Sequence, residues 1–467
     1  MNSKLGWFLG ALAAGLVMLA GCGTQTAGGV AVEGKLLDLC GQPLPYNTVY
    51  VPGTEPILTD AQGNFTIEGV KVPYDLVVNN AYVSDVADGA DATIVVFRGL
   101  TRTDPYLVVH PIGGSSCAEA TVQGSLSPAS PTDIDTAEAV AAMLGNYQDV
   151  DYDNDTYSLA LGFDPATAGD ATLLALRWQV DADGNAAAFS DPTRDDLGAV
   201  AAGVAVEDGT SASKDLTLGT DVGTRTFDVA YRLPSVMSLS SVQHFVTYAG
   251  EATPIRTARF SFKGTPPDTL SFAGPTGMEL GSLVRATAGY GDLGRLLSLD
   301  STGALDLSSV GGEVEVWQQV AEGTDQVTLQ FPDPVVPIAP NFGSVITPGD
   351  TVFRWVGPEG LLYDVVFGLY SYDTGMEYAV EVITGDQEVT IPSYEDLGGL
   401  VQTNGEAYWM IEAAKGDGLP ATMDELASAD GAQALVALAM GSGFPGSEGY
   451  RFSAFAGWYV LPGTQVP

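Results

Sequence analysis

A chain of 467 residues exceeds the roughly 100–200 residues of one ordinary domain, so several units are expected. Hydrophobic residues make up 45% of it, enough to build cores and to exclude wholesale disorder. Lysine and arginine total 18 against 58 aspartate and glutamate, a formal charge of −40 that repels phosphate backbones and excludes nucleic acid as a partner.

Lys4 precedes an uncharged, largely apolar stretch from Leu5 to Ala20. At about 16 residues it falls short of the ~20 that span a bilayer and has the length of a signal-peptide core. It ends in Leu19-Ala20-Gly21-Cys22, which resembles a bacterial lipobox. That resemblance implies a signal peptide over residues 1–21, cleavage before Cys22 and lipidation of the Cys22 sulfur. An ordinary signal peptide with a chance cysteine is the alternative. Acyl chains, at about 0.8 kcal/mol per buried CH₂, would then hold the chain to a membrane. Gly23 in place of Asp after Cys22 implies, by similarity to diderm lipoproteins, the outer membrane or cell surface. Two cysteines remain, Cys40 and Cys117. In an exported chain a disulfide between them is the simplest expectation, with two free buried thiols as the alternative.

Residues 22–30 form a small-residue tether. From 31 to 117 short strands alternate with turns: Gly34 within a first strand, Gly41 to Leu44 as a turn, Thr59-Asp60-Ala61-Gln62-Gly63-Asn64-Phe65 as a hairpin, and Pro73 to Leu76 opening a later strand. This ordered set resembles the carboxypeptidase regulatory-like family, and the resemblance implies a small transthyretin-type β-sandwich with an accessory, non-catalytic role. A weaker echo starts near residue 118 and suggests a second sandwich over 118–214. There Ala and Met residues between Ile134 and Leu144 have helical spacing, so a short inserted helix is expected. Residues 215–331 alternate cleanly with period two, as in Phe227, Val229 and Tyr231, and read as a third β domain. Pro332, Pro334, Pro337 and Pro340 mark residues 332–340 as a stiff linker. The final unit, 341–467, resembles a fibronectin type III-like sandwich, with strands at Phe353-Arg354-Trp355, Tyr363 to Tyr370 and Ala407 to Glu412. A helix is expected within it from Thr422 to Met440, where Thr422 and Glu425 have capping-box spacing. The expected fold is therefore all-β, a rod of tandem Ig-like and transthyretin-like sandwiches with short helical insertions.

Formal motif matches do not lead to an enzyme. Gly289-Tyr290-Gly291-Asp292-Leu293-Gly294 is followed too soon by Ser301-Thr302-Gly303 for the helix a dinucleotide site needs. Ser211-Ala212-Ser213-Lys214 lacks the Lys-Thr-Gly strand of penicillin-recognising enzymes. His110 and His244 are the only histidines and neither neighbours a nucleophile elbow. Asp149, Asp151, Asp153 and Asp155 place oxygens at alternate positions, as a Ca²⁺ loop does, but Asn154 and Ala160 stand where an EF-hand has Gly and Glu. Calcium or a plain solvated acidic loop both fit. Tyr370 and Tyr372 are candidate sugar-stacking residues, although one strand face could equally bury them. The expectation is a non-enzymatic, lipid-anchored envelope protein with a structural or adhesive role toward a glycan or envelope protein. Carbohydrate binding is the second reading and a carboxylate-pair hydrolase the third.

Overall fold

The computed structural model describes residues 29–81, 92–109, 117–130, 135–145, 147–152, 155–163, 169–189, 198–219, 222–291, 311–341, 343–372, 377–393, 404–439 and 446–461. The first unit comprises β1 (Val30–Leu37), β2 (Thr48–Tyr50), β3 (Ile57–Leu58), β4 (Asn64–Val70), β5 (Tyr74–Ala81), β6 (Ala92–Leu100) and β7 (Tyr106–Val108). β1 pairs with β4 antiparallel and β7 parallel, and this small sheet faces β2, β3, β5 and β6 across Val32, Leu36, Phe65, Leu76, Val95 and Phe97. The hairpin into β4 is closed by Asp60, whose Oδ1 accepts the N–H groups of Gln62 and Asn64 at 2.8 Å, while Gly63 takes φ 75°. The same Asp-x-x-Gly construction recurs at Asp38 to Gln42 and Asp181 to Asn185. In each case the Asp side-chain oxygen accepts two of the turn's amides and the Asp carbonyl accepts the glycine N–H between them, so three consecutive N–H groups need no other partner.

The second unit holds β8 (Ala118–Ser127), β9 (Thr136–Leu144), β10 (Tyr147–Asp151), β11 (Thr156–Phe163), β12 (Gly169–Val180), β13 (Ala186–Ala188), β14 (Gly198–Val206), β15 (Ser211–Ser213) and β16 (Leu216–Thr217). One sheet is built on β9 and β12, the other on β8, and they close over Val122, Val140, Leu159, Phe163 and Leu173. The helix expected from Ile134 to Leu144 is not there: Ile134 lies outside the described residues, and Thr136–Leu144 is the strand β9, antiparallel to β12. Its Val140, Ala142 and Leu144 fill one core and its Ala139 and Ala141 another. A strand buried on both faces carries a continuous apolar run, which periodicity does not separate from a helix.

The third unit contains β17 (Gly223–Arg232), β18 (Met237–Tyr248), β19 (Glu251–Ser261), β20 (Thr269–Thr276), β21 (Leu280–Gly291), β22 (Gly311–Val320) and β23 (Gln326–Gln330). The fourth contains β24 (Val336–Ala339), β25 (Val352–Val356), β26 (Tyr363–Ser371), β27 (Glu377–Thr384), β28 (Glu388–Thr390), β29 (Gly405–Gly416), α1 (Met423–Leu426), α2 (Ala429–Ala439) and β30 (Glu448–Val460). Residues 332–340, expected as a linker, instead bury Val335 completely and supply β24, which pairs with β25. Proline is compatible with this placement because β24 is an edge strand.

The units are not strung end to end. Twelve strands form one sheet in the order β19-β18-β21-β22-β30-β29-β26-β27-β6-β5-β2-β3, so the fourth unit lies between the third and the first. β22 joins β30 antiparallel, and β27 joins β6 parallel from Tyr378–Ala92 to Ile383–Phe97. The all-β sandwich architecture expected from sequence holds, with short helices inserted, but the units share a sheet rather than standing end to end as a rod. The junction follows from β6 itself, in which Ile94 and Val96 enter the large core of the third and fourth units while Val95 and Phe97 enter the first unit's core. A strand apolar on both faces needs cover on both.

Candidate functional site

Asp149 and Asp151 sit on β10 and spend one oxygen each on the neighbouring strand: Asp149 Oδ2 accepts the Ala160 N–H and Asp151 Oδ2 the Ser158 N–H, both at 2.7 Å. Asp155 belongs elsewhere. At φ 64° its N–H donates to Glu138 Oε2 and its Oδ1 accepts the Ser130 N–H, beside Arg177, which donates to Glu138. Glu138 and Arg177 are buried, so Asp155 caps an internal ion pair. Asp153 lies outside the described residues, and among the described residues no three metal-ligating side chains converge. Cys22 likewise lies outside them. Cys40 and Cys117 are brought together with Cα atoms 5.2 Å apart, a separation that suits a disulfide.

Tyr370 is the penultimate residue of β26 and Tyr372 is the first residue after the strand. Their rings meet edge to face at 5.8 Å and are 41% and 47% exposed, so the pair faces solvent rather than the core. The Tyr372 hydroxyl donates to Glu406, and burial together with that carboxylate pushes its ionisation up to about 12. The formal motifs resolve into plain structure. Gly289 and Gly291 are paired residues of β21, and Gly294 falls outside the described residues. Ser211 to Ser213 form β15. His110 falls outside the described residues, while His244 is buried on β18 between Phe227 and Phe272. Its Nδ1 shares a hydrogen bond with Thr257 Oγ1 at 2.5 Å, and burial, helped by Arg225, pushes its pKa down to about 3. It is a neutral core residue with no route to a substrate.

One arrangement was not foreseen from the sequence. Antiparallel pairing sets Glu313 of β22, Ser453 of β30, Glu412 of β29, Asp364 of β26 and Ile383 of β27 side by side across the large sheet. Alternation sends the neighbours Ile411, Val365 and Val382 into the core, so this row points to the opposite face. The segment between β29 and β30 folds back over that face. Thr422 Oγ1 accepts the Glu425 N–H, so Thr422 caps α1 as its spacing predicts, while Glu425 Oε2 reaches one residue further back and accepts the Ala421 N–H. The single expected helix breaks at Ser428, whose hydroxyl accepts the Gly431 N–H and starts α2. Asp424 fastens the turn to the first unit by accepting the N–H groups of Thr101 and Arg102 at 2.8 and 3.0 Å.

Between these helices and the sheet lies a cavity of about 400 Å³ lined by Asp364, Glu412, Arg451 and the apolar Leu362, Leu426, Leu435 and Phe452. Asp364 is half-buried as a residue, but its Oδ1 is shut off from solvent and has no hydrogen-bond partner among the described residues. Burial first, and then the charges of Glu381 and Glu412, hold its carboxyl well above the usual carboxylate range. Arg451 does not neutralise it, being directed to Glu315 at 3.1 Å, which Arg285 also approaches at 3.5 Å. An apolar cavity with a few convergent polar groups and a displaced ionisation has the general character of a small-ligand site. Asp364 and Glu412 are register partners of β26 and β29 on its wall. Alternation alone marks Glu412 as facing away from the core; its meeting with Asp364 depends on strand pairing 48 positions apart.

No protein-family model matches the sequence, and no curated protein matches it. Among solved structures, a candidate adhesin from Bacteroides ovatus is 8% identical, covering 46% of this chain and 93% of its own, with a TM-score of 0.15. The Bacillus anthracis TIE protein is 11% identical over 82% of this chain and 63% of its own, at a TM-score of 0.13. The major pilin subunit of Bacillus cereus is 8% identical over 65% of this chain and 98% of its own, also at 0.13. Scores of this size carry no argument about shared architecture or role.

Proposed function

We propose that this protein is a non-catalytic module of the bacterial cell surface with a structural or adhesive role, held to the outer membrane by lipid on Cys22. The observation that supports this reading is the twelve-stranded sheet, which ties the first unit to the last by backbone hydrogen bonds. Load entering near a lipidated N-terminus would pass across strands rather than through flexible linkers. The surfaces of three units would then be presented in one fixed arrangement. The reading is tested by comparing cells that carry the wild-type chain with cells that carry Cys22→Ser. Wild type is expected in the membrane fraction, cleavable by protease on intact cells and able to mediate attachment, with Cys22→Ser released. Wild-type protein that stays protected and leaves attachment unchanged would overturn it.

A carbohydrate partner is the second reading, supported by the exposed edge-to-face pair Tyr370 and Tyr372. Sugars stack on such ring faces, and the aromatic body costs little to hold in place. A glycan array with the chain from residue 22 onward, with and without Ca²⁺, is expected to show specific binding that Tyr370→Ala/Tyr372→Ala abolishes. Loss of binding without Ca²⁺ would assign a role to Asp149, Asp151, Asp153 and Asp155. A blank array in both conditions would reject the sugar reading and leave a protein partner.

A further inference from the structure

The cavity under α1 and α2 presents an imbalance that folding alone does not require. Its wall carries a carboxyl oxygen, Asp364 Oδ1, that is buried and has no hydrogen-bond partner among the described residues. Leaving an acceptor in that condition is costly, and more so for a charged group. The two nearest ionisable neighbours, Glu412 directly across on β29 and Glu381 on β27, carry the same sign and add to the cost. Among the described lining residues the one cation is Arg451, already shared with Glu315. A water molecule would satisfy the Oδ1 lone pairs, whereas a bound cation would also favour the ionised carboxylate over the protonated form that burial and the neighbouring carboxylates promote.

We propose that this cavity binds the ammonium group of an alkylamine, with the nitrogen against Asp364 and Glu412 and the alkyl stem along Leu362, Leu426, Leu435 and Phe452. The chemistry of the walls makes the selection. An ammonium has three donors on one compact charge and no acceptor, so it suits neighbouring carboxylates that only accept. A divalent metal needs several oxygens converging on one point, and among the described residues no group of three does so. The apolar remainder of the lining favours a stem of methylene groups, whose burial is favourable. Glu412 is exposed, so the cavity meets solvent at this carboxylate and an amine has a route in. The same chemistry is offered by a free aliphatic amine and by a lysine side chain on a partner polypeptide. The proposal concerns a site separate from the Tyr370–Tyr372 surface and stands whether or not the protein is an adhesin.

The test uses the chain from residue 22 onward with Cys22→Ser, titrated by calorimetry at low salt with three probes. n-Butylammonium represents the free amine, acetyl-Gly-Lys-Gly-amide a lysine on a backbone, and 1-butanol the same stem without charge. Saturable binding of at least one amine is expected, with butanol weaker by about tenfold or more, a difference of about 1.4 kcal/mol. Asp364→Asn is expected to lose about tenfold and Glu412→Gln several-fold. Butylammonium binding alone would identify a free small amine, and tighter peptide binding a lysine of a partner chain. Because Asp364→Asn keeps the shape and removes a carboxyl whose charged form burial disfavours, it is expected to melt no lower than wild type, which separates lost binding from lost folding. Failure of both amines to bind, butanol binding equally well, or an Asp364→Asn variant that binds as wild type does would each overturn the proposal.

Discussion

His244 makes a quantitative statement about acid stability. The imidazole is fully buried beside Phe227 and Phe272, and its pKa lies near 3 against an ordinary value of 6.5. Below about pH 6.5 the unfolded chain takes up a proton that the folded chain refuses, so stability present above that pH is lost as pH falls. At about pH 4.5 the loss is two pH units' worth, or about 2.7 kcal/mol, and it approaches about 5 kcal/mol near pH 3. Acidification also neutralises part of the excess of 58 acidic over 18 basic residues, which relieves self-repulsion and acts in the opposite direction. A His244→Gln variant keeps a hydrogen-bonding group for Thr257 and cannot take up the proton, so it shares the second effect but not the first. Urea unfolding of both proteins between about pH 7 and pH 4.5 is expected to show wild type losing about 2.7 kcal/mol more than the variant. With only two histidines in the chain, His110→Gln also assigns the His244 ring resonances directly. Equal pH slopes for the two proteins, or a His244 midpoint near 6.5, would refute the reasoning.

Three further outcomes follow from the packing. Glu138→Ala leaves Arg177 buried without its carboxylate and is expected to cost about 3–5 kcal/mol in chemical denaturation, whereas replacing both by apolar residues costs far less. Cys40→Ser opens a cross-link over 77 positions, and the chain-entropy model sets the loss at about 4–5 kcal/mol, to be read from the unfolding midpoint under non-reducing conditions. Amide hydrogen exchange at Thr93 to Phe97 and Ala379 to Ile383 is expected to be as slow as at Val365 to Leu369. Fast exchange confined to the first two segments would mean that the first and fourth units separate freely.

The features legible in the sequence are those whose causes are local. Asp60, Gly63 and Asn64 form their turn from five consecutive residues, and the same holds for Asp181 to Asn185, so composition and order suffice. Thr422 and Glu425 announce a helix start for the same reason. Reading fails where burial comes from two sides. In β9 and β6 every residue of the apolar run is covered, which erases the alternation that marks a strand and hides that a second unit supplies the cover. β27 went unrecognised although Val380 and Val382 alternate with Glu381, because its parallel partner β6 lies about 290 positions earlier. The candidate site is less legible still. Among 58 acidic residues nothing local distinguishes Asp364, whose flanking Tyr363 and Val365 say only that it faces away from the core. What makes it unusual is the return of α1 and α2 over the sheet and the arrival of Glu412 on the next strand. In so acidic a chain most carboxylates lower their energy by staying in water. Asp364, whose Oδ1 is enclosed without a hydrogen-bond partner among the described residues, must either hold a proton or gain a bound cation, and the amine titration asks directly which it does.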